Sequence, residues 1–138
     1  MNLEGIISIS GKPGLFNVIT KRKNELIVKS LVDGKKHFVF ALDRVSALED
    51  ISIYTETEDI PLRDVYDKLF DIEEGKNTID HKSDSKLLKE KMIEVLPDYD
   101  QERVYSSDIK KLIQWYNLLI NANLLVKQEE KEEEETKE

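Results

Sequence analysis

The sequence predicts an α+β protein, with a small antiparallel β unit first and helices after it. Three observations carry this. Short runs of β-branched and aromatic residues, separated by turn residues, fill residues 6–55. From residue 61 onward the apolar positions switch to a helical period. The final segment KQEEKEEEETKE (127–138) contains no apolar residue.

Ile6, Ile7 and Ile9 offer a first strand, and LFNVIT (15–20) a second. The GKPG stretch between them has Pro13 to fix one backbone angle and Gly14 to accept a positive one, the chemistry of a type II turn. A phosphate loop needs more glycines, a closing Gly-Lys-Ser/Thr and a following helix, so a structural turn is expected. LIVKSL (26–31) follows the polar turn TKRKNE, and Asp33-Gly34 marks a hairpin into HFVFAL (37–42). Alternation puts Phe38 and Phe40 on one face, expected to be the core face. DRVSALED reads as a turn or helical piece, and ISIYT (51–55) as another strand with Ile51, Ile53 and Thr55 on one side. Strands this short and closely spaced suggest an SH3-like barrel, with a helix packed against it to enlarge the core.

The first helix begins near Pro61, with Leu62, Val65, Tyr66, Leu69 and Phe70 on its apolar stripe. Residues 73–82, with Gly75 and Asn77, form a break. Ser83 or Asp84 caps the next helix, whose face comprises Leu87, Leu88, Lys91, Met92 and Val95; Pro97 ends it. After the loop PDYDQERVY, Ser106 or Ser107 caps a third helix with Ile109, Leu112, Ile113, Tyr116, Leu119 and Ile120 inward. The expected layout is therefore a β-barrel domain with a trailing helix (1–74), a helical hairpin domain (83–126) and a disordered acidic tail (127–138).

The formal net charge of −8 is unevenly spread. Residues 1–48 carry +4, residues 49–126 carry −8 and residues 127–138 carry −4. Binding of bulk nucleic acid by overall charge is excluded, but the basic first third can still meet an anionic partner. With no cysteine there is neither a disulfide nor a thiolate metal site. MNLEGIISIS lacks the basic start of a secretory leader, and no run is long enough to span a membrane, so a cytoplasmic protein is expected.

Three phrases, ISGKPGLF (9–16), RVSALEDISIYT (44–55) and LPDYDQERVYSSDIKKLIQWYN (96–117), resemble a family of short cytoplasmic Bacteroidota proteins of unknown function. The resemblance spans residues 3–126 and implies a small N-terminal β domain and a C-terminal helical domain. It implies no reaction, cofactor or catalytic residue.

The residues themselves offer no catalytic set. His37 and His81 lack partners at metal or general-base spacing, and Asp98, Asp100 and Glu102 lack the glycine and distal glutamate of a calcium loop. These acids are better placed to pair with Arg103, Lys110 and Lys111 and so fix the loop. No catalytic, cofactor or metal site is expected. The candidate partner-binding residues are Lys12, Lys21, Arg22, Lys23, Lys35 and Lys36, whose turns are expected to gather at one rim, together with Trp115 on the flank of the third helix. The expected role is a non-enzymatic interaction module with a protein partner. The alternative is an RNA- or ribosome-associated factor binding through the basic loops.

Overall fold

The computed structural model describes residues 2–12, 14–40 and 44–125. Strands β1 (Ile6–Ile9), β2 (Phe16–Arg22), β3 (Glu25–Ser30), β4 (Lys36–Phe40) and β5 (Val45–Ala47) form one antiparallel sheet in the order β4-β3-β2-β1-β5. A 3-10 turn at Leu48–Asp50 leads to a separate hairpin of β6 (Ser52–Tyr54) and β7 (Asp59–Pro61). Helices α1 (Leu62–Ile72), α2 (Ser85–Val95) and α3 (Ser106–Asn121) complete the α+β fold.

The corner at GKPG is built from its glycines. Lys12 N–H donates to the Ile9 carbonyl at 3.0 Å, and Gly11 sits between them at φ +84°, the third position of a type II-like turn. The turn thus closes on Ser10-Gly11; Pro13 lies outside the described residues. Gly14 takes φ +81°, and a Cβ there would stand 2.6 Å from Val32 Cγ2. The Asp33-Gly34 hairpin forms as its chemistry dictates: Lys35 N–H donates to Asp33 Oδ1 at 2.9 Å, which together with Ser30 holds the Asp33 carboxyl below its ordinary pKa.

The sheet curls. Only residues 41–44 join β4 at one edge to β5 at the other. Five Cα steps reach about 17 Å, less than the roughly 19 Å between the outer strands of a flat five-stranded sheet. Ile7, Ile9, Phe16, Val28 and Val39 consequently bury one another on the concave face, with Val28 at 0% exposure and no helical residue in the cluster. Among the described residues no ladder joins β4 to β5, so the sheet is open in its hydrogen bonding.

Phe38 and Phe40 do share a face, but it is the outer one. They are 56% and 57% exposed, while Val39 between them is 2% exposed. Register explains the inversion. Phe40, Phe38 and Lys36 oppose Glu25, Ile27 and Lys29, the charged side of β3, whereas Val39 opposes Leu26 and His37 opposes Val28. His37 is half-buried, edge-on to the Phe16 ring at 5.4 Å.

A larger core joins Leu3, Ile6 and Leu15 of the sheet region to all three helices. Ile6 near the outer face packs into this helical core, whereas Lys29, Lys36, Phe38 and Phe40 at the β3–β4 end are exposed. Tyr66 of α1 is fully buried and its hydroxyl donates to the Leu112 carbonyl of α3 at 2.8 Å. On α2, Leu88, Met92 and Val95 face inward as expected, but Leu87 is 47% exposed. Asp84 caps α2, accepting from Leu87 N–H at 2.9 Å. The α3 cap is not a serine: Tyr105 precedes the helix, and its N–H donates to Asp108 Oδ2 at 3.0 Å.

The segment 73–82, where the sequence places a break, is pinned to α3. Asn117 Oδ1 accepts from Thr78 N–H at 2.9 Å and Asn77 Nδ2 at 3.2 Å, Asn117 Nδ2 donates to the Ile79 carbonyl at 3.0 Å, and Tyr116 Oη donates to the Lys76 carbonyl at 3.0 Å. Lys91 of α2 bridges Glu73 at 3.3 Å and Glu94 at 2.7 Å. Burial alone would lower the Lys91 ammonium, but the hydrogen bonds and charges of Glu94 and Glu73 outweigh it and raise its pKa. The expected acidic tail, 127–138, lies outside the described residues.

Candidate functional site

Consecutive turns of an antiparallel meander lie at opposite ends, and this divides the predicted basic set. The β2–β3 turn brings Lys21, Arg22 and Lys23 to one end, since Arg22 pairs with Glu25. The β3–β4 turn brings Lys35 and Lys36 to the other, where Lys29 pairs with Lys36. The single rim expected from the sequence therefore does not form. Lys12 and Trp115 meet elsewhere, in a cleft between the sheet and α3.

What the meander presents instead is its outer face. Cross-strand partners share a face, giving three rows: Lys36–Lys29–Asn17, Phe38–Ile27–Thr20 and Phe40–Glu25–Arg22. Ile19, in the bulge between Val18 and Thr20, adds a 48% exposed side chain. Phe38 and Phe40 stand about 7 Å apart along the strand. Lys36 and Lys29 flank them at one end, and at the other Arg22 stands 3.3 Å from Glu25. A shallow hollow of about 300 Å³ opens beside Phe40, lined by Lys21, Arg22, Lys23 and Val45 among others. Val45 of β5 thus approaches Val39 and Phe40 of β4, as the curl requires.

A cleft of about 650 Å³ lies where the β1–β2 turn and β5 face α3. Lys12, Arg44 and Lys111 bring three cations to it, and Ser8, Ser10 and Ser46 bring three hydroxyls. Ser8 and Ser46 are cross-strand partners, and Ser10 N–H donates to the Arg44 carbonyl at 2.9 Å, so the strand pairing itself sets this array. Among the described residues, no carboxylate lines the cleft. Half-buried Trp115 packs on the main core and separates this cleft from a smaller, more apolar one of about 260 Å³ that includes Ile53, Leu62, Val104 and Leu112.

Sequence reading missed Arg44 and Lys111 because no local pattern links a strand start to a helix; only the packing of α3 on the sheet unites them. Of the acids read as a loop network, Asp100 fills that role. Its carboxylate accepts from Arg103 Nε at 2.8 Å and from Glu102 N–H at 2.9 Å, which hold it below its ordinary pKa. The Arg103 guanidinium lies 4.2 Å from the Tyr54 ring centroid. Lys111, which the sequence also offered to that network, lines both clefts instead.

A family described as Domain of unknown function (DUF6852) matches residues 51–119, half of the chain. The chain belongs to that family. A second description, Domain of unknown function (DUF5606), matches residues 3–48. The two matches leave only residues 49–50 between them, so α1 falls with the helical part; the larger cleft takes residues from both matches and the smaller one from the second alone. A solution NMR structure of a Bacteroides vulgatus protein from a structural genomics consortium is similar at 40% identity and a TM-score of 0.73, over 91% of this chain and 90% of that one. No curated protein matches the chain. Among the described residues, no helix is long and apolar enough to cross a membrane.

Proposed function

We propose that this chain is a non-enzymatic, cytoplasmic interaction module that holds single-stranded RNA on the outer face of its β2–β3–β4 meander. The observation that carries the reading is the exposure of Phe38 and Phe40 side by side on an edge strand, with Lys36, Lys29 and Arg22 around them. Every base has a π-face, and stacking on an exposed aromatic ring contributes about 1–3 kcal/mol per base. Two rings about 7 Å apart leave room for one base on each. The +4 of residues 1–48 favours a polyanion here, while the −8 of residues 49–126 repels it from the helical side. The curled sheet, with β4 and β5 converging, is consistent with an SH3-like barrel carrying this face.

Fluorescence anisotropy with a labelled single-stranded RNA of about ten nucleotides tests the reading, since such sites span roughly 4–16 nucleotides. Binding is expected at low salt and weakens as salt rises. The double variant Phe38→Ala/Phe40→Ala is expected to bind about tenfold or more weakly at fixed salt. A protein partner was the first expectation from the sequence. Absence of RNA binding, combined with a captured protein whose recovery requires Phe38 and Phe40, overturns the RNA assignment in favour of that partner.

A further inference from the structure

The geometry points to a second, independent site: the cleft between the β1–β2 turn, β5 and α3 binds a small phosphate-bearing molecule whose apolar or aromatic part lies along Trp115. This does not rest on the RNA reading, because it uses none of the residues of the outer meander face.

Lys12, Arg44 and Lys111 reach the cleft from the turn, from the start of β5 and from α3, and among the described residues no carboxylate lines it. Three cations gathered at one cleft repel one another, and an anion that joins them relieves this. A phosphate or diphosphate group, with greater charge and more oxygens than a carboxylate, is best suited to meet all three. The three serine hydroxyls supply further donors. Gly11 lines the cleft, and no described residue beyond its chain neighbours comes within 4 Å of where its Cβ would stand, which leaves space for the ligand's approach.

The cleft's volume of about 650 Å³ far exceeds a lone phosphate and falls in the usual range of small-molecule sites. Trp115 and Lys111 line both this cleft and its apolar neighbour of about 260 Å³. Among the described residues that neighbour's carboxylate is Asp108, which accepts from the Tyr105 N–H at 3.0 Å. A ligand with an anionic end among the cations and a flat or apolar end against the indole fits both compartments. Nucleoside diphosphates have this chemistry.

Trp115 is the single tryptophan of the chain, so its fluorescence reports the cleft directly. Titrations of the whole protein with ADP, pyrophosphate and adenosine separate the parts of the claim. ADP is expected to give a saturable change, pyrophosphate a weaker-binding one, and adenosine none at the same concentrations. Replacing Lys12 and Lys111 by alanine, both exposed, is expected to weaken ADP binding about tenfold or more, the effect of removing charged hydrogen-bonding partners. Thermal melts confirm that the variant folds. The proposal is overturned by no saturable response to either anion at millimolar concentration, by adenosine acting as ADP does, or by ADP affinity unchanged in the variant. Pyrophosphate binding as tightly as ADP overturns the role given to Trp115. Phe38→Ala/Phe40→Ala is expected to leave the ADP titration unchanged, which separates this site from the RNA face.

Discussion

Val39 and its two phenylalanine neighbours offer a direct test of which way the meander faces. Val39 is 2% exposed, in a cluster with Ile7, Ile9, Phe16 and Val28. Val39→Ala removes two buried carbons, about 1.6 kcal/mol of transfer free energy, plus a cavity term because the curled sheet cannot collapse onto the gap. The expected total is about 2–3 kcal/mol. Phe38 and Phe40 are 56% and 57% exposed, so less than half of a full phenylalanine's burial is at stake. Replacing either by threonine, which keeps strand propensity, is expected to cost about 1 kcal/mol. Urea unfolding followed by Trp115 fluorescence measures the midpoints, with an unchanged slope confirming a common unfolded state. If Phe38→Thr or Phe40→Thr destabilises as much as Val39→Ala, the register argument is wrong and the aromatics belong to the core.

Three further outcomes follow from other parts of the molecule. Gly14→Ala is expected to destabilise more than Gly11→Ala: both meet the strain of positive φ, about 1–2 kcal/mol, but only Gly14 also drives a Cβ into Val32, and paired thermal melts read the difference. Burial, aided by the nearby Tyr116, pushes the Tyr66 phenol well above its ordinary pKa, and burial followed by the charge of Glu73 pushes Tyr116 up to about 12. The stability these neutral phenols provide is therefore complete below about pH 10 and lost as pH rises toward their folded values, because the unfolded chain releases those protons first. Urea midpoints from pH 8 upward check this, and Tyr66→Phe, costing about 1 kcal/mol at neutral pH, is expected to blunt the alkaline loss. Asn117→Ala is expected to cost about 1–3 kcal/mol and to speed amide exchange at Thr78, whose N–H loses its acceptor at 2.9 Å.

Much of the architecture was legible because it is local. Asp33-Gly34, Asp84 and the stripe Ile109–Leu112–Ile113–Tyr116–Leu119 each act within a few residues of themselves, and each behaves as its chemistry dictates. Errors arose where a local pattern was degenerate. In HFVF, both parities are apolar, so period-two alternation alone cannot choose the core face. The deciding signal was one strand away, in the charges of Glu25 and Lys29 flanking Ile27, and it is usable only once the register is known. ISIYT alternates as read, with Thr55 buried and Tyr54 exposed, yet it joins β7 and the loop after α2 instead of the main sheet: Asp100 N–H donates to the Tyr54 carbonyl at 2.9 Å. The basic residues were recognised individually. Their grouping was not, because antiparallel turns alternate ends and because Arg44 and Lys111 meet Lys12 only through the docking of α3.

The central claim is that the exposed β3–β4 face, and not a helical surface, receives a single-stranded polyanion. Mapping amide resonances while a short oligouridine is added measures this residue by residue. The account predicts that the largest shifts cluster at Lys29, Lys36, Phe38 and Phe40, with α2 unmoved. Shifts centred on the helices, or a spectrum unchanged at saturating RNA, contradict it.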